Sequence, residues 1–306
     1  MRQGHSTRYL TMSGKKGPAN ANWLSLFDVD RSCILNPVQA PLPFTPFKDF
    51  SGKTINEINL YSMEMVGTLC SIDRATVRAS MSNRLSEAIV SAYKQNAGKP
   101  ITFSMMLKKY QEKMPNPDKD DSVTSVLKQL IRNNLFASED KVSLVNECFI
   151  VKMNAFPKDG SIAEGIVYFI ISKLNSIYGD LPKQAVSDDY VQIRHFTIID
   201  EAHYMLDFGD HPLHNLIAVG RSKGLNIILA TQNMDSFKSR HFDFYANAQY
   251  PLIMKQQTIA DSVVKDLFGV SGRDFQEIKQ AIAGLQKGEL IIKDNTLAEL
   301  GLSNVK

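Results

Sequence analysis

The period of the apolar positions changes along the chain, and the changes divide it. From Ile55 to Phe136 apolar residues recur at three- and four-residue steps. Met81, Leu85, Ala88, Ile89, Ala92 and Tyr93 form one such set, and Val123, Val126, Leu127, Leu130 and Ile131 another. That spacing gives each segment one apolar face and predicts amphipathic helices. Residues 55–146 are therefore expected to form a helical subdomain of four or five helices, interrupted by a polar loop from Met114 to Asp121.

At Cys148 the pattern switches. Phe149 to Met153 is a short β-rich run, followed by a helical stretch from Ala163 to Ile177 with Ile166, Val167, Ile170, Ile171 and Leu174 on its face. Phe196 to Ile199 reads as a second strand, apolar on both faces as a buried parallel strand requires. A helix carrying Leu213, Leu216, Ile217 and Val219 comes next, and then a third strand from Asn226 to Thr231. A fourth strand, Tyr250 to Met254, precedes a helix capped by Thr258 and ending at Gly269. Ser271-Gly272-Arg273-Asp274 reads as the capping box of a further helix, and Glu289 to Ile292 as a fifth strand. Alternating strands and helices predict an α/β layer with a mainly parallel sheet over residues 147–306.

Residues 1–54 are the least regular. Ser13 to Pro18 reads as a basic loop and Leu24 to Val29 as a short strand. Pro37, Pro41, Pro43 and Pro46 then alternate with Leu42, Phe44 and Phe47. Prolines at that density forbid a helix and remove ladder donors, so an extended segment lying across a surface is expected.

Composition narrows the class. Of 306 residues, 43% are hydrophobic and 22% charged, which excludes a disordered chain. No apolar run approaches the roughly 18 residues of a membrane helix. The N-terminus has no apolar signal region, and a cytoplasmic protein without membrane contact is expected. The net charge of +3 permits contact with nucleic acid without arguing for it. Cys33, Cys70 and Cys148 are too few and too scattered for a disulfide framework or a zinc pair and read as reduced thiols.

The strongest chemical signal is Phe196-Thr197-Ile198-Ile199-Asp200-Glu201-Ala202-His203. An apolar strand runs into two carboxylates at its C-terminal end, where ligands sit in open α/β sheets. Asp200 can hold Mg²⁺ through the water shell of the ion, and Glu201 can orient or deprotonate an attacking water. This is the pattern of a Walker B strand. The following helix ends in Gly220-Arg221-Ser222-Lys223-Gly224, with Gly224 suited to a left-handed cap. The next strand ends in Ala230-Thr231-Gln232, where an amide can touch a γ-phosphate or its water. Arg221 and Lys223 can equally offset the helix dipole, and Gln232 can equally cap a turn.

Together these three segments resemble the HerA/FtsK-type branch of P-loop ATPases over residues 147–293. The resemblance implies a RecA-like fold, hexameric rings around DNA, and ATP with Mg²⁺ as cofactors. It makes Asp200 and Glu201 the Walker B acids, Gln232 the sensor and Arg221 the arginine finger, with Asp200 and Thr231 on the nucleotide. Asn36-Pro37 and Pro43-Phe44-Thr45-Pro46-Phe47 also resemble the segment that precedes the helical insertion in some HerA relatives. Within the family the chain is most similar to the C-terminal part of the HerA-like ATPase subunit of phosphorothioation-dependent restriction systems. That likeness implies partner subunits of a restriction complex.

One departure stands out. The phosphate loop Gly-x-x-x-x-Gly-Lys-Ser/Thr is absent from the sequence. Gly52-Lys53-Thr54 comes nearest, but Phe47 occupies the first glycine position, and Gly14-Lys15 and Gly98-Lys99 fit no better. The chain thus reads as the C-terminal part of a larger ATPase or as a natural truncation. The alternatives are a non-catalytic assembly or DNA-binding subunit with a degenerate ATPase fold and a Mg²⁺-dependent nuclease built on Asp200 and Glu201. Lesser signals are a His203, Asp207, Asp210, His211 and His214 cluster of zinc-ligand types, and the basic loop Lys238, Arg240 and His241, suited to phosphate contact. Met63, Met65, Met81, Met105 and Met106 read as core filler.

Overall fold

A computed structural model describes residues 6–11, 34–72, 77–156, 161–187, 190–204, 206, 211–238, 242–248, 250–257 and 259–292. The chain forms two compact units, residues 1–230 and 231–306.

The first unit is built on a parallel sheet of five strands. They are β1 (Ser6–Thr11), β2 (Ile34–Leu35), β3 (Phe149–Lys152), β6 (His195–Ile199) and β7 (Leu225–Leu229), in the order β2-β3-β1-β6-β7. All four pairings are parallel, as the alternation of elements predicts. A two-stranded antiparallel ribbon, β4 (Val186–Ser187) and β5 (Tyr190–Val191), lies between β3 and β6 in the chain. The predicted strand Leu24 to Val29 and the loops around Gly14 and Arg240 fall outside the described residues.

Four helices form the helical region among the described residues: α1 (Ile55–Ile72), α2 (Ala79–Gln95), α3 (Phe103–Gln111) and α4 (Ser122–Asn133). The predicted faces are the buried ones. Leu85, Ala88, Ile89, Ala92 and Tyr93 of α2, and Val123, Val126, Leu127 and Leu130 of α4, are all buried. Asp121 ends the polar loop as the N-cap of α4, exchanging hydrogen bonds with Thr124 in a capping box. Met65 and Met106 fill the core, whereas Met63 faces out at 67% exposure. Helical phase explains the difference, because Met63 lies off the stripe of Ile58, Tyr61, Met65 and Leu69.

The proline segment does not lie across a surface. Leu42, Phe44 and Phe47 are fully buried, and the stretch pairs with the chain after α4. The Leu42 amide donates to the Leu135 carbonyl at 2.8 Å, and the Leu42 carbonyl accepts from Ala137 at 2.9 Å. Pro41 and Pro43 flank the one residue that must donate, and Pro43 needs only to accept, from Lys141 at 2.8 Å. Phe44 stacks near Phe149 of the sheet at 6.0 Å between ring centres, and Phe47 meets Phe103 edge-on at 4.9 Å. Gly98, at φ +78°, lets the Phe50 amide reach its carbonyl, since a Cβ there would lie 2.6 Å from the Phe50 oxygen.

Helix α5 (Ser161–Asp180) packs against α1, and its Tyr178 reaches His195 of the sheet. Its sequence shows one apolar face, but the structure buries every residue from 163 to 174. Lys173 is caught in that stretch at 7% exposure. Its ammonium donates to the Phe47 carbonyl at 2.9 Å and pairs with Asp140 at 2.9 Å, while Asp140 also accepts from the Thr45 amide. Helix α6 (His211–Gly220) packs on α5 and precedes β7.

The second unit contains the four-residue helix α7 (Phe244–Asn247), β8 (Leu252–Met254), α8 (Asp261–Phe268), α9 (Gly272–Gly284) and β9 (Leu290–Ile292). Here two expectations fail. The fourth and fifth predicted strands pair with each other antiparallel and form their own sheet, because Ile253, Val263, Leu267 and Ile282 make a separate core. The N-cap of α8 is Ala260, and Thr258 lies outside the described residues. Ser271 does occupy the cap position of α9, without a side-chain cap bond.

Lys173→Ala is expected to lower unfolding stability by about 2–4 kcal/mol, because two bonds to a charged group are lost and the buried Phe47 carbonyl is stranded. Urea unfolding should show the lower midpoint with an unchanged slope.

Candidate functional site

Strands β6 and β7 run parallel in the register Ile199 to Leu229, so their C-terminal ends share one edge of the sheet. The ladder continues past both strands through Ala230. Its amide donates to the Ile199 carbonyl at 2.9 Å, and its carbonyl accepts from the Ala202 amide at 2.8 Å. Asp200 and Glu201 lie between those two bonds, in a turn whose two ends are both held by Ala230.

The turn is tight enough to need a left-handed residue. Glu201 has φ +54°, and the Glu201 amide donates to Asp200 Oδ1 at 3.0 Å. For a glutamate that conformation costs about 1–2 kcal/mol, and such strain gathers at functional sites. Glu201 is buried, its side chain 11% exposed, and its Oε2 lies 3.4 Å from His203 Nδ1, while Asp200 is half-buried. Hard carboxylate oxygens at a strand end suit Mg²⁺ held through its waters. Thr231 and Gln232 follow Ala230 directly in the chain, Thr231 half-buried and Gln232 exposed.

Beneath the acids, β6 is not apolar on both faces. His195 and Thr197 occupy its buried face with Ile199, while Phe196 and Ile198 are half-buried. The Tyr178 hydroxyl of α5 is hydrogen-bonded to His195 Nδ1, and His195 Nε2 to the Thr197 hydroxyl at 3.1 Å. Buried polar groups are tolerated when they satisfy one another. The alternation of His195 and Thr197 at i and i+2 is a signal of one polar, buried face that the apolar reading passed over.

Arg221 lies at the other end of the sheet. Residues Arg221–Lys223 form a single 3₁₀ turn before β7, so Arg221 is separated from the Asp200 edge by the five residues of β7, about 16 Å of strand. The turn is firmly bonded. Gly224 caps it at φ +80°, and its carbonyl accepts from Arg194 at 2.6 Å and His195 at 3.3 Å. The Ser222 carbonyl accepts from the Gln184 amide at 3.0 Å. A Cβ at Gly224 would lie 2.6 Å from the Gln192 carbonyl oxygen. Arg221 is exposed, and its guanidinium has no hydrogen bond or ion pair among the described residues.

Other candidates resolve differently. Gly52-Lys53-Thr54 is a helix start. The Lys53 amide donates to the Phe50 carbonyl at 2.9 Å, and Thr54 and Glu57 exchange bonds in a capping box that holds the Glu57 carboxyl below its usual range. The Lys53 and Thr54 amides are thus engaged in the turn and in the cap of α1. Among the described residues no three His, Cys, Asp or Glu side chains are placed to hold a metal, with Asp207 and Asp210 lying outside them. Lys238 pairs with Asp235 at 2.7 Å in its own turn. Cys70 and Cys148 form no disulfide, and burial pushes the Cys70 thiol up. No helix among the described residues is long and apolar enough to cross a membrane.

The parallel sheet and its flanking helices define a RecA-like α/β fold. Among solved structures the chain is similar to VirB4 of Thermoanaerobacter pseudethanolicus, with a TM-score of 0.62 and 15% identity over 95% of this chain and 81% of that one. It is also similar to the bacterial conjugative coupling protein TrwBΔN70 in its unbound monoclinic form, with a TM-score of 0.50 and 10% identity over 94% and 81% of the two chains. At such identities the likeness is one of fold. No protein-family model matches the chain, and no curated protein does.

The left-handed geometry at residue 201 gives a signature in stability. Glu201→Gly should be at least as stable as the parent, and Glu201→Val less stable than Glu201→Gly by about 1–2 kcal/mol, compared by thermal unfolding. Gly224→Ala should cost more than the roughly 1 kcal/mol of a positive φ alone, because its Cβ meets backbone that cannot yield.

Proposed function

We propose that this chain is the ATPase core segment of a HerA/FtsK-like DNA translocase or helicase, acting in the cytoplasm with ATP and Mg²⁺. The observation that carries the reading is Glu201, held in a left-handed turn directly after Asp200 at the end of a central parallel strand. Strain of that kind persists where the surrounding structure enforces it, and here Ala230 does so from the neighbouring strand.

In this reading Asp200 would hold Mg²⁺ through the ion's water shell, and the metal would supply charge neutralisation for phosphoryl transfer at that place. Glu201 accepts the proton of the attacking water. Thr231 and Gln232 contact the nucleotide and its water from the end of β7. Arg221 is at the wrong edge to serve its own Asp200. It serves a neighbouring subunit instead, stabilising transition-state charge in a hexameric ring around DNA. The fold likeness to VirB4 and to a conjugative coupling protein supports a DNA-transfer motor as the setting. The sequence resemblance supports a restriction-complex subunit, and the two share this chemistry and differ in partners.

A second reading has its own support. The 306 residues contain no Gly-x-x-x-x-Gly-Lys-Ser/Thr, and the amides of Lys53 and Thr54 are engaged elsewhere. Without a phosphate loop supplied from outside these residues, the chain is an assembly subunit with an ATPase fold.

Phosphate-release assays separate the two. The purified chain alone is expected to turn over ATP at background. Robust turnover by it, abolished in Glu201→Gln, would reveal a hidden phosphate loop. In an assembly that does hydrolyse ATP, Arg221→Ala and Glu201→Gln should each reduce turnover by about 10³-fold or more. Mixing the two variants should restore part of it, because each contributes the half-site that the other lacks. Full activity in Arg221→Ala would end its assignment.

A further inference from the structure

We propose that Lys223 is the positioning residue of Arg221, a proposal that rests on the reading of Arg221 as a group acting across a subunit boundary. Lys223 sits two residues after Arg221 in the same 3₁₀ turn, and its side chain does not follow Arg221 outward. Its ammonium donates to the Tyr178 carbonyl at 2.6 Å and to the Gly179 carbonyl at 2.8 Å, both at the end of α5.

Helix α5 has no basic residue in its own last turn. The last carbonyls of a helix lack intrahelical donors and carry the negative end of its dipole. Lys223 supplies the missing cation from another element. The two basic residues of the turn therefore divide their work: one is spent on α5, the other is exposed without a partner among the described residues. Tyr178, whose carbonyl Lys223 holds, is also the residue whose hydroxyl meets His195 on β6. The clamp thus joins the Arg221 turn, the end of α5 and the strand that carries Asp200 and Glu201.

A guanidinium that completes a neighbour's site must be held at a fixed place on the surface, since a long free side chain on a loose turn loses rotamer and backbone freedom at each encounter. The backbone bonds of Ser222 and Gly224 fix the turn near β7, and Lys223 is the one side chain among the described residues that ties it to α5.

The test places a nitroxide spin label at residue 221, through Arg221→Cys in a background where Cys33, Cys70 and Cys148 are serine, and reads its mobility by electron paramagnetic resonance. The label should be immobilised with Lys223 present and in Lys223→Arg, which keeps the cation. In Lys223→Met and in Lys223→Gln its mobility should rise by about threefold or more, while circular dichroism shows both variants folded. Equal mobility in Lys223→Met and the parent would overturn the proposal, as would failure of Lys223→Arg to restore it. Turnover in an ATP-hydrolysing assembly reads the other half. Lys223→Met should lower kcat with little change in KM for ATP, and should add nothing in a background already carrying Arg221→Ala. If Arg221→Ala is itself fully active while the label still loosens in Lys223→Met, the finger reading falls and the clamp stands. A loss of kcat in Lys223→Met that persists undiminished on top of Arg221→Ala sinks the positioning role.

Discussion

A charge in the buried stretch of a long helix sets the terms for the first unit. Helix α5 is enclosed for three turns, with α1 on one flank and α6 on another. Such a helix ordinarily carries only apolar residues, yet Lys173 falls within the enclosed stretch. An ammonium taken out of water must be given oxygen partners or it destabilises the fold. Its partners are the Phe47 carbonyl and Asp140, and Asp140 in turn receives the Thr45 amide. The proline segment, the chain after α4 and the central helix are therefore registered by one polar cluster inside an apolar contact. The aromatic rings of Phe44, Phe47, Phe103, Phe136 and Phe169 supply the bulk of that contact, but nondirectional packing alone leaves the register of an extended proline segment loose.

Much of this was legible in the residues. Long periodic segments such as 79–95 and 122–133 declare themselves, because burial of one face is a local property of spacing. The strand that ends at Asp200 and Glu201 and the Gly224 cap were equally visible, since each depends on a few adjacent residues. The order of the strands was not visible. Nothing local distinguishes Leu252–Met254, which pairs antiparallel in the second unit, from Leu225–Leu229, which lies in the parallel sheet. The fate of the proline segment was hidden for the same reason: its burial is decided by residues about a hundred positions away, as the bond from Thr45 to Asp140 shows.

The candidate site divides in the same way. Asp200 and Glu201 could be picked out as a pair, but not the left-handed backbone at Glu201, which is enforced by Ala230 on another strand. Lys223 and Arg221 looked interchangeable as basic residues at a helix end. Only tertiary contact separates them, because the carbonyls that take Lys223 belong to a helix some 44 residues earlier. The Tyr178, His195 and Thr197 network had a local trace, two polar residues on one face of a strand, and a tertiary partner that no local pattern names.

The separation of Arg221 from Asp200 by the length of β7 has a consequence for symmetry. A two-fold axis pairs surfaces reciprocally, so two subunits would complete both sites between them and the assembly would stop at a dimer. Under the proposed function, a ring of more than two subunits requires instead a head-to-tail contact, joining unlike surfaces. Such a contact leaves one acceptor and one donor surface unsatisfied at the ends of every open chain of subunits. Only cyclic closure uses them all, so the number of complete sites equals the number of subunits in a closed assembly and falls one short in any open one.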